Sequence, residues 1–296
     1  MKKRKFREKD VIGWCLMVPS LCLFLFFIWE PMFESIRLSL YSTIRYETVD
    51  FIGLDNYVRV IRNPDFLAAL RNTFMYTIWS LIIGFATPII LAIIISETTL
   101  GKSTFRAAVY FPNIVPGIAT IWIWNFFFLP GDNGVLNILL GKLGLGSSVW
   151  LNNVKWTIPL IIVIATWKAA GSTALVYMAN ITSIPPELYE ASAIDGASVW
   201  KRIRYITLPS IGGVAKTMLI LQFIGVFQIF YEPMILKNGG PNNASISLMM
   251  MQYRYAFRDF DFGAGAALSV IVGVILIALS VVYFAVTADK KKDGGK

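Results

Sequence analysis

The sequence predicts an all-α polytopic membrane protein with six transmembrane helices. Composition is the first reason: of 296 residues 56% are hydrophobic and only 15% charged, whereas about a quarter of a soluble domain is charged. The second is that the apolar residues fall in six blocks, each long enough to cross a hydrocarbon core of about 30 Å. The third is that lysine and arginine gather beside the ends of those blocks. The net charge of +9 therefore reads as membrane topology and gives no reason to expect a nucleic-acid partner.

The blocks are residues 11–29, 73–95, 107–128, 156–178, 208–234 and 264–286, read as a single transmembrane domain over 11–286. A basic segment, 1–10, precedes the first block. That block is too long for a signal peptide and no small-x-small site closes it, so it is expected to stay as a permanent helix. Cys15 and Cys22 within it share a helix face but lie about 10 Å apart, too far for a disulfide. They read as packing residues.

Residues 30–72 form a mixed-charge loop whose end is amphipathic. After the second block, Ser96–Ser103 nearly fits a phosphate-binding loop, with serine in place of the first glycine. That motif requires a strand, a glycine-rich turn and a helix, whereas this stretch leaves a transmembrane block, so nucleotide binding is not expected here. Pro116-Gly117 and Gly212-Gly213 lie inside the third and fifth blocks, where neighbouring helices can satisfy the freed backbone groups. The loop 129–155 is rich in Gly, Asn and Leu, and 235–262 carries the turn Asn238-Gly239-Gly240-Pro241. A basic segment, 287–296, closes the chain.

Orientation follows from the basic residues: fifteen flank one side of the blocks and ten the other, and six of the fifteen crowd the first helix. Positive-inside then places both termini and the loop 183–207 in the cytoplasm. Catalysis finds no support. Histidine is absent, which removes the commonest general base and metal ligand, and neither a cysteine pair nor clustered carboxylates replaces it. No catalytic residue, metal or cofactor is expected.

The loop 183–207 is the most informative segment. Pro185 and Pro186 stop the fourth block's helix and suit a new helix's first turn. Glu187 and Glu190 sit near the positive end of that helix. Ala191, Ser192 and Ala193 keep its surface thin, and Gly196 can end it in a left-handed conformation. A second short helix over 198–206 carries Lys201, Arg202 and Arg204 before Pro209 opens the fifth block.

Glu190, Ala191, Gly196, Ile206, Leu208 and Pro209 stand at the spacing of the EAA---G---------I-LP signature, so the chain resembles the permease subunits of binding-protein-dependent ABC importers. Ser192 departs from the alanine common there. YFPNIVPGIATIWIWNFFF at 110–128, Ile194-Asp195-Gly196 and the NGGP turn are similar to the maltose/glycerol-phosphate-type sugar branch, over about residues 11–286. The resemblance implies a type I importer fold in a bacterial or archaeal inner membrane, with a cytoplasmic coupling helix. Glu190, Ala191, Ser192, Asp195, Gly196, Ile206, Leu208 and Pro209 would form the element that docks on an ATPase subunit. Implied partners are a second homologous permease, two ATPase subunits, an extracytoplasmic solute-binding protein and a sugar. The bland alternative is an amphipathic helix lying on lipid.

Deeper in the blocks, Lys168 is the unusual residue. It lies about 15 Å or more from either end of its span, where inserting a lysine costs about 2.5–3.5 kcal/mol. With no carboxylate expected at its depth, it faces a solute path or subunit interface, or else helix carbonyls and hydroxyls such as Ser172 and Thr173. Lys216 can reach back to the interface and reads as structural. Gln222, Gln228, Tyr231 and Glu232 suit a hydroxyl-rich solute by hydrogen bonding and stacking; interhelical hydrogen bonds are the alternative.

The leading function is thus the translocation subunit of an ATP-driven sugar importer. A secondary transporter or channel without an ATPase, or an importer of a non-sugar solute, is the alternative.

Overall fold

The computed structural model describes residues 8–44 and 47–288 and is helical apart from one hairpin. Most of the basic residues that set the expected orientation at the two ends, and Arg45, lie outside the described residues. Five helices are long and apolar enough to cross a membrane, and a sixth crossing is available from one bent pair. Contacts divide the chain into two compact units, Met1–Asn63 with Gln252–Ile275, and Pro64–Met251 with Leu276–Lys296.

In the first unit, α1 (Ile12–Leu38) has no buried residue. It continues nine residues past the expected end at 29, because a π turn at Leu25–Trp29 lets the ladder pass Pro31. Cys15 and Cys22 are both exposed. A two-stranded antiparallel hairpin follows, β1 (Tyr41–Ile44) and β2 (Glu47–Phe51), with Tyr41 opposite Phe51. Asn56, buried on α2 (Asp55–Arg62), donates to the Ser39 and Tyr41 carbonyls at 2.9 and 2.8 Å. Arg59 on the same helix pairs with Asp261 at 2.9 Å.

The second unit is built around α7 (Val154–Thr182), with α3 (Pro64–Glu97) and α9 (Val199–Phe227) packed on it. Ile158, Ile161, Ile162 and Ile164 of α7 are buried with Tyr76 of α3 and with Ile121 and Phe128. Nearer the other end, Ala174, Tyr177, Met178 and Ile181 meet Ala92, Ile95 and Ile211. Helix α3 contains a π turn at Ser80–Gly84, closed by Phe85 N–H donating to the Ser80 carbonyl at 2.9 Å. Two short helices follow α9: α10 (Tyr231–Lys237) and α11 (Leu248–Tyr253). Helix α12 (Phe262–Ala288) contributes its first half to one unit and its second to the other.

Three expectations are corrected here. The third block is two helices, α4 (Lys102–Ile114) and α5 (Gly117–Phe127), bent by 98°. Pro116 offers no amide and forces Val115 into an extended conformation, φ −62° and ψ 131°, which a helix cannot continue. The fifth block's helix stops at Phe227, short of 234, and restarts at Tyr231 after Gln228 leaves helical geometry. Its other end reaches back to Val199, because a π turn at Ile203–Thr207 carries the ladder past Pro209. The separate helix expected over 198–206 is therefore the start of α9.

Between α5 and α7, a buried side chain organises the loop. Asn137, on α6 (Val135–Lys142), donates to the Leu129, Gly131 and Ser148 carbonyls at 3.3, 2.8 and 2.9 Å. Its oxygen accepts from Ser148 N–H and Trp150 Nε1–H at 2.9 and 2.8 Å. Asn137→Leu is expected to destabilise the protein by about 3 kcal/mol, since several buried backbone groups lose their partner at once. Thermal unfolding in detergent measures this, and an unchanged midpoint would refute it.

Candidate functional site

The loop after α7 begins where Ser183 Oγ donates back to the Asn180 carbonyl at 2.7 Å. Pro185, with φ −55° and ψ 127°, turns the chain into α8 (Pro186–Ile194). The helix ends as a Schellman motif: Ala197 N–H donates to the Ser192 carbonyl at 2.9 Å and Gly196 N–H to the Ala193 carbonyl at 3.1 Å. Gly196 has φ +70°, a backbone that glycine adopts without a Cβ penalty. The hydroxyls of Tyr189 and Thr207 meet at 2.9 Å, tying α8 to the turn of α9 that carries Ile206, Leu208 and Pro209.

Glu190, Ala191, Asp195, Gly196, Leu208 and Pro209 are all exposed. Ser192 and Ile206 are half-buried, Ser192 bonding the Tyr189 carbonyl at 2.8 Å. Beside them stand large apolar side chains that motif reasoning passed over: Ile194 is 87% exposed, Trp200 67% and Tyr205 70%. Ile194 closes α8 and Trp200 and Tyr205 lie at the start of α9, so the loop presents large apolar side chains in the open. The visible signal was a large apolar residue at each of these positions beside charged neighbours such as Asp195, Lys201 and Arg204.

The second site is a cavity of about 730 Å³ in the second unit. Lys168 (α7), Gln222 (α9), Gln228, Tyr231 and Glu232 (α10) all line it, so the five candidate pathway residues come together. Lys168 Nζ donates to the Val115 carbonyl at 2.6 Å, at the break between α4 and α5. Gln222 Nε2 donates to the Ser80 carbonyl at 2.9 Å and its hydroxyl at 2.6 Å, which leaves the amide oxygen available. The side-chain amide of Gln228 donates to the Ile224 carbonyl in the last turn of α9, at 3.3 Å. The Tyr231 ring seats against Gly117, where a Cβ would stand 2.8 Å from Cε1.

Glu232 corrects the expectation that no carboxylate accompanies Lys168. It lies beyond the end of the fifth span, yet α10 folds back against α5 and α7 and brings it to the same cavity. Burial pushes its carboxyl up, while its own backbone N–H and the Lys168 charge pull the other way. Sequence reasoning missed Asn113, Thr166 and Phe230, which also line the cavity. They are isolated residues within or just beyond apolar helices, and only the helix packing shows that they converge. No three-residue group of metal-ligating side chains occurs among the described residues.

Residues 84–292 match the family described as the binding-protein-dependent transport system inner membrane component. The arabinooligosaccharides transport system permease protein AraP of Bacillus subtilis is 30% identical over 291 residues, 98% of this chain and 92% of that protein. The trehalose/maltose transport system permease protein MalF of Thermococcus litoralis is 30% identical, with 83% of each chain covered. Among crystal structures, a chain of a bacterial ABC transporter involved in the import of the acidic polysaccharide alginate superposes with a TM-score of 0.83. It is 26% identical, with 95% of this chain and 96% of that one covered. A multi-span helical chain with this match over most of its length belongs to the binding-protein-dependent transport system inner membrane component family, the permease subunits of ABC importers.

Proposed function

We propose that this permease forms one wall of the translocation pathway of an ATP-driven sugar importer and takes its motion from an ATPase subunit docked on α8. The observation that carries the reading is the loop itself. A helix started by proline, ended by Gly196 and tied to α9 through Tyr189 and Thr207 transmits a push at its tip to a spanning helix. Its thin Ala191–Ala193 surface and exposed Ile194 suit a cleft in another protein better than a flat lipid surface.

Sugar as the cargo is supported by the cavity and by what the relatives are named for. Amide oxygens of Gln222 and Gln228 accept hydrogen bonds from hydroxyls, and Tyr231 and Phe230 offer faces on which sugar rings stack. A second, homologous permease completes the path. Two ATPase subunits dock in the cytoplasm, where the basic residues place α8 and both termini, and a solute-binding protein delivers from outside. The chain is non-catalytic, and hydrolysis belongs to its partners.

Affinity purification of the tagged chain in mild detergent from its native host tests the reading. An ATPase subunit is expected to co-purify and crosslink to cysteine at position 191, and the chain stripped of partners is expected to show no hydrolysis. Crosslinks from that position to lipid alone would defeat it.

A further inference from the structure

Val115 marks the break in the third crossing, and the last turn of α4 ends there on carbonyls that have no partner within the helix. An unpartnered carbonyl in hydrocarbon is costly, and Lys168 Nζ supplies the partner at 2.6 Å. On the far side of the bend, α10 holds the start of α5 through Tyr231 and Gly117. Glu232 is the next residue along. Of the residues lining the cavity, Lys168 is the one base and Glu232 the one acid, and the lysine's charge reaches the carboxyl. The ammonium therefore has one partner in hand and a second across the same space. Alternating access moves part of a bundle against the rest around such a site, and a cation that lost its carbonyl at this depth would need another partner.

We infer that Lys168 is a positioning residue for the broken span: its ammonium fastens the bend through the Val115 carbonyl in this state and passes to Glu232 when the bend opens. The inference rests on the importer reading, since it assigns Lys168 a part in that cycle. It makes the two charged residues holders of the wall and leaves solute contact to the amides and rings.

The test uses the full chain in native membranes, with Val115→Cys in a Cys15→Ser, Cys22→Ser background. Labelling of position 115 by N-ethylmaleimide is expected to quicken at least fivefold in Lys168→Met. Lys168→Arg, which keeps a charged donor, is expected to bring it back within twofold of the parent. Glu232→Gln is expected to leave the resting labelling rate unchanged. It should lower maximal uptake of arabinooligosaccharide or trehalose about tenfold at unchanged KM, and the double variant should fall no further than the worse single one. Unchanged labelling in Lys168→Met, or a Glu232→Gln effect confined to KM, overturns the inference. If the parent takes up neither sugar, the sugar reading is what fails, and the labelling arm still decides whether Lys168 fastens the bend.

Discussion

Gly196→Val is expected to reduce uptake by tenfold or more while the protein still reaches the membrane in normal amount. The backbone there has φ +70°, and a left-handed residue with a Cβ costs about 1–2 kcal/mol, with a β-branched one at the upper end. Nothing lies within 4 Å of the Cβ that would be added. The penalty is therefore confined to the end of α8 and is relieved by unwinding that end, which displaces Asp195 and Ile194 without disturbing any buried contact. Gly196→Asn, which tolerates the left-handed region, is expected to retain most activity. Uptake measured beside membrane abundance separates the two effects. Normal transport by the valine variant would remove α8 from the coupling path.

Gly171→Leu is expected to fail earlier, at folding. A Cβ at Gly171 would overlap the Val109 carbonyl oxygen and stand 2.8 Å from the Val109 carbonyl carbon and 2.9 Å from the Tyr110 Cα. Helix α7 thus crosses α4 backbone to backbone, a closeness that small residues permit and that membrane bundles use in place of a hydrophobic driving force. Because the obstructing atoms belong to the main chain, no rotamer change relieves them. The cost should lie at or above the roughly 3 kcal/mol that marks the upper range for overpacked cores. Gly212→Ala and Gly213→Ala are the controls, since nothing lies within 4 Å of either added Cβ. Membrane abundance and the unfolding midpoint in detergent should fall for Gly171→Leu and stay level for the controls. Equal behaviour of all three would show that the crossing is looser than described.

Hydropathy made the helices legible because a bilayer imposes length and apolarity on each crossing separately. It says nothing about interruptions within a crossing. Pro116 and Pro209 both sit in apolar runs. One breaks its helix by 98°, while the other is carried through because a π turn precedes it. The difference lies in hydrogen bonds three to five residues away, which residue type alone does not specify. The hairpin at 41–51 was illegible because its two short strands carry mixed polarity and are joined without a glycine signal.

The backbone course of the loop through α8 was legible nearly residue by residue, since proline, small residues and glycine act on their own backbone. The cavity was legible only in part. Lys168, Gln222, Gln228, Tyr231 and Glu232 stood out as polar in apolar company, but their meeting depends on α10 folding back after Gln228. Nothing local to those five residues encodes that reversal, which is why Glu232 seemed too remote to accompany Lys168.

The widened turn at Ser80–Gly84 holds one amino acid more than a regular helix would place there. Deleting a single position from it would let ordinary ladder bonds close, yet everything preceding it would swivel by about 100° about its own axis. Tyr76 and Thr73, both fully buried, would swing toward the surroundings, and lipid-facing neighbours would be driven inward. Phasing of one long rod against its companions thus hangs on a single-residue spacer.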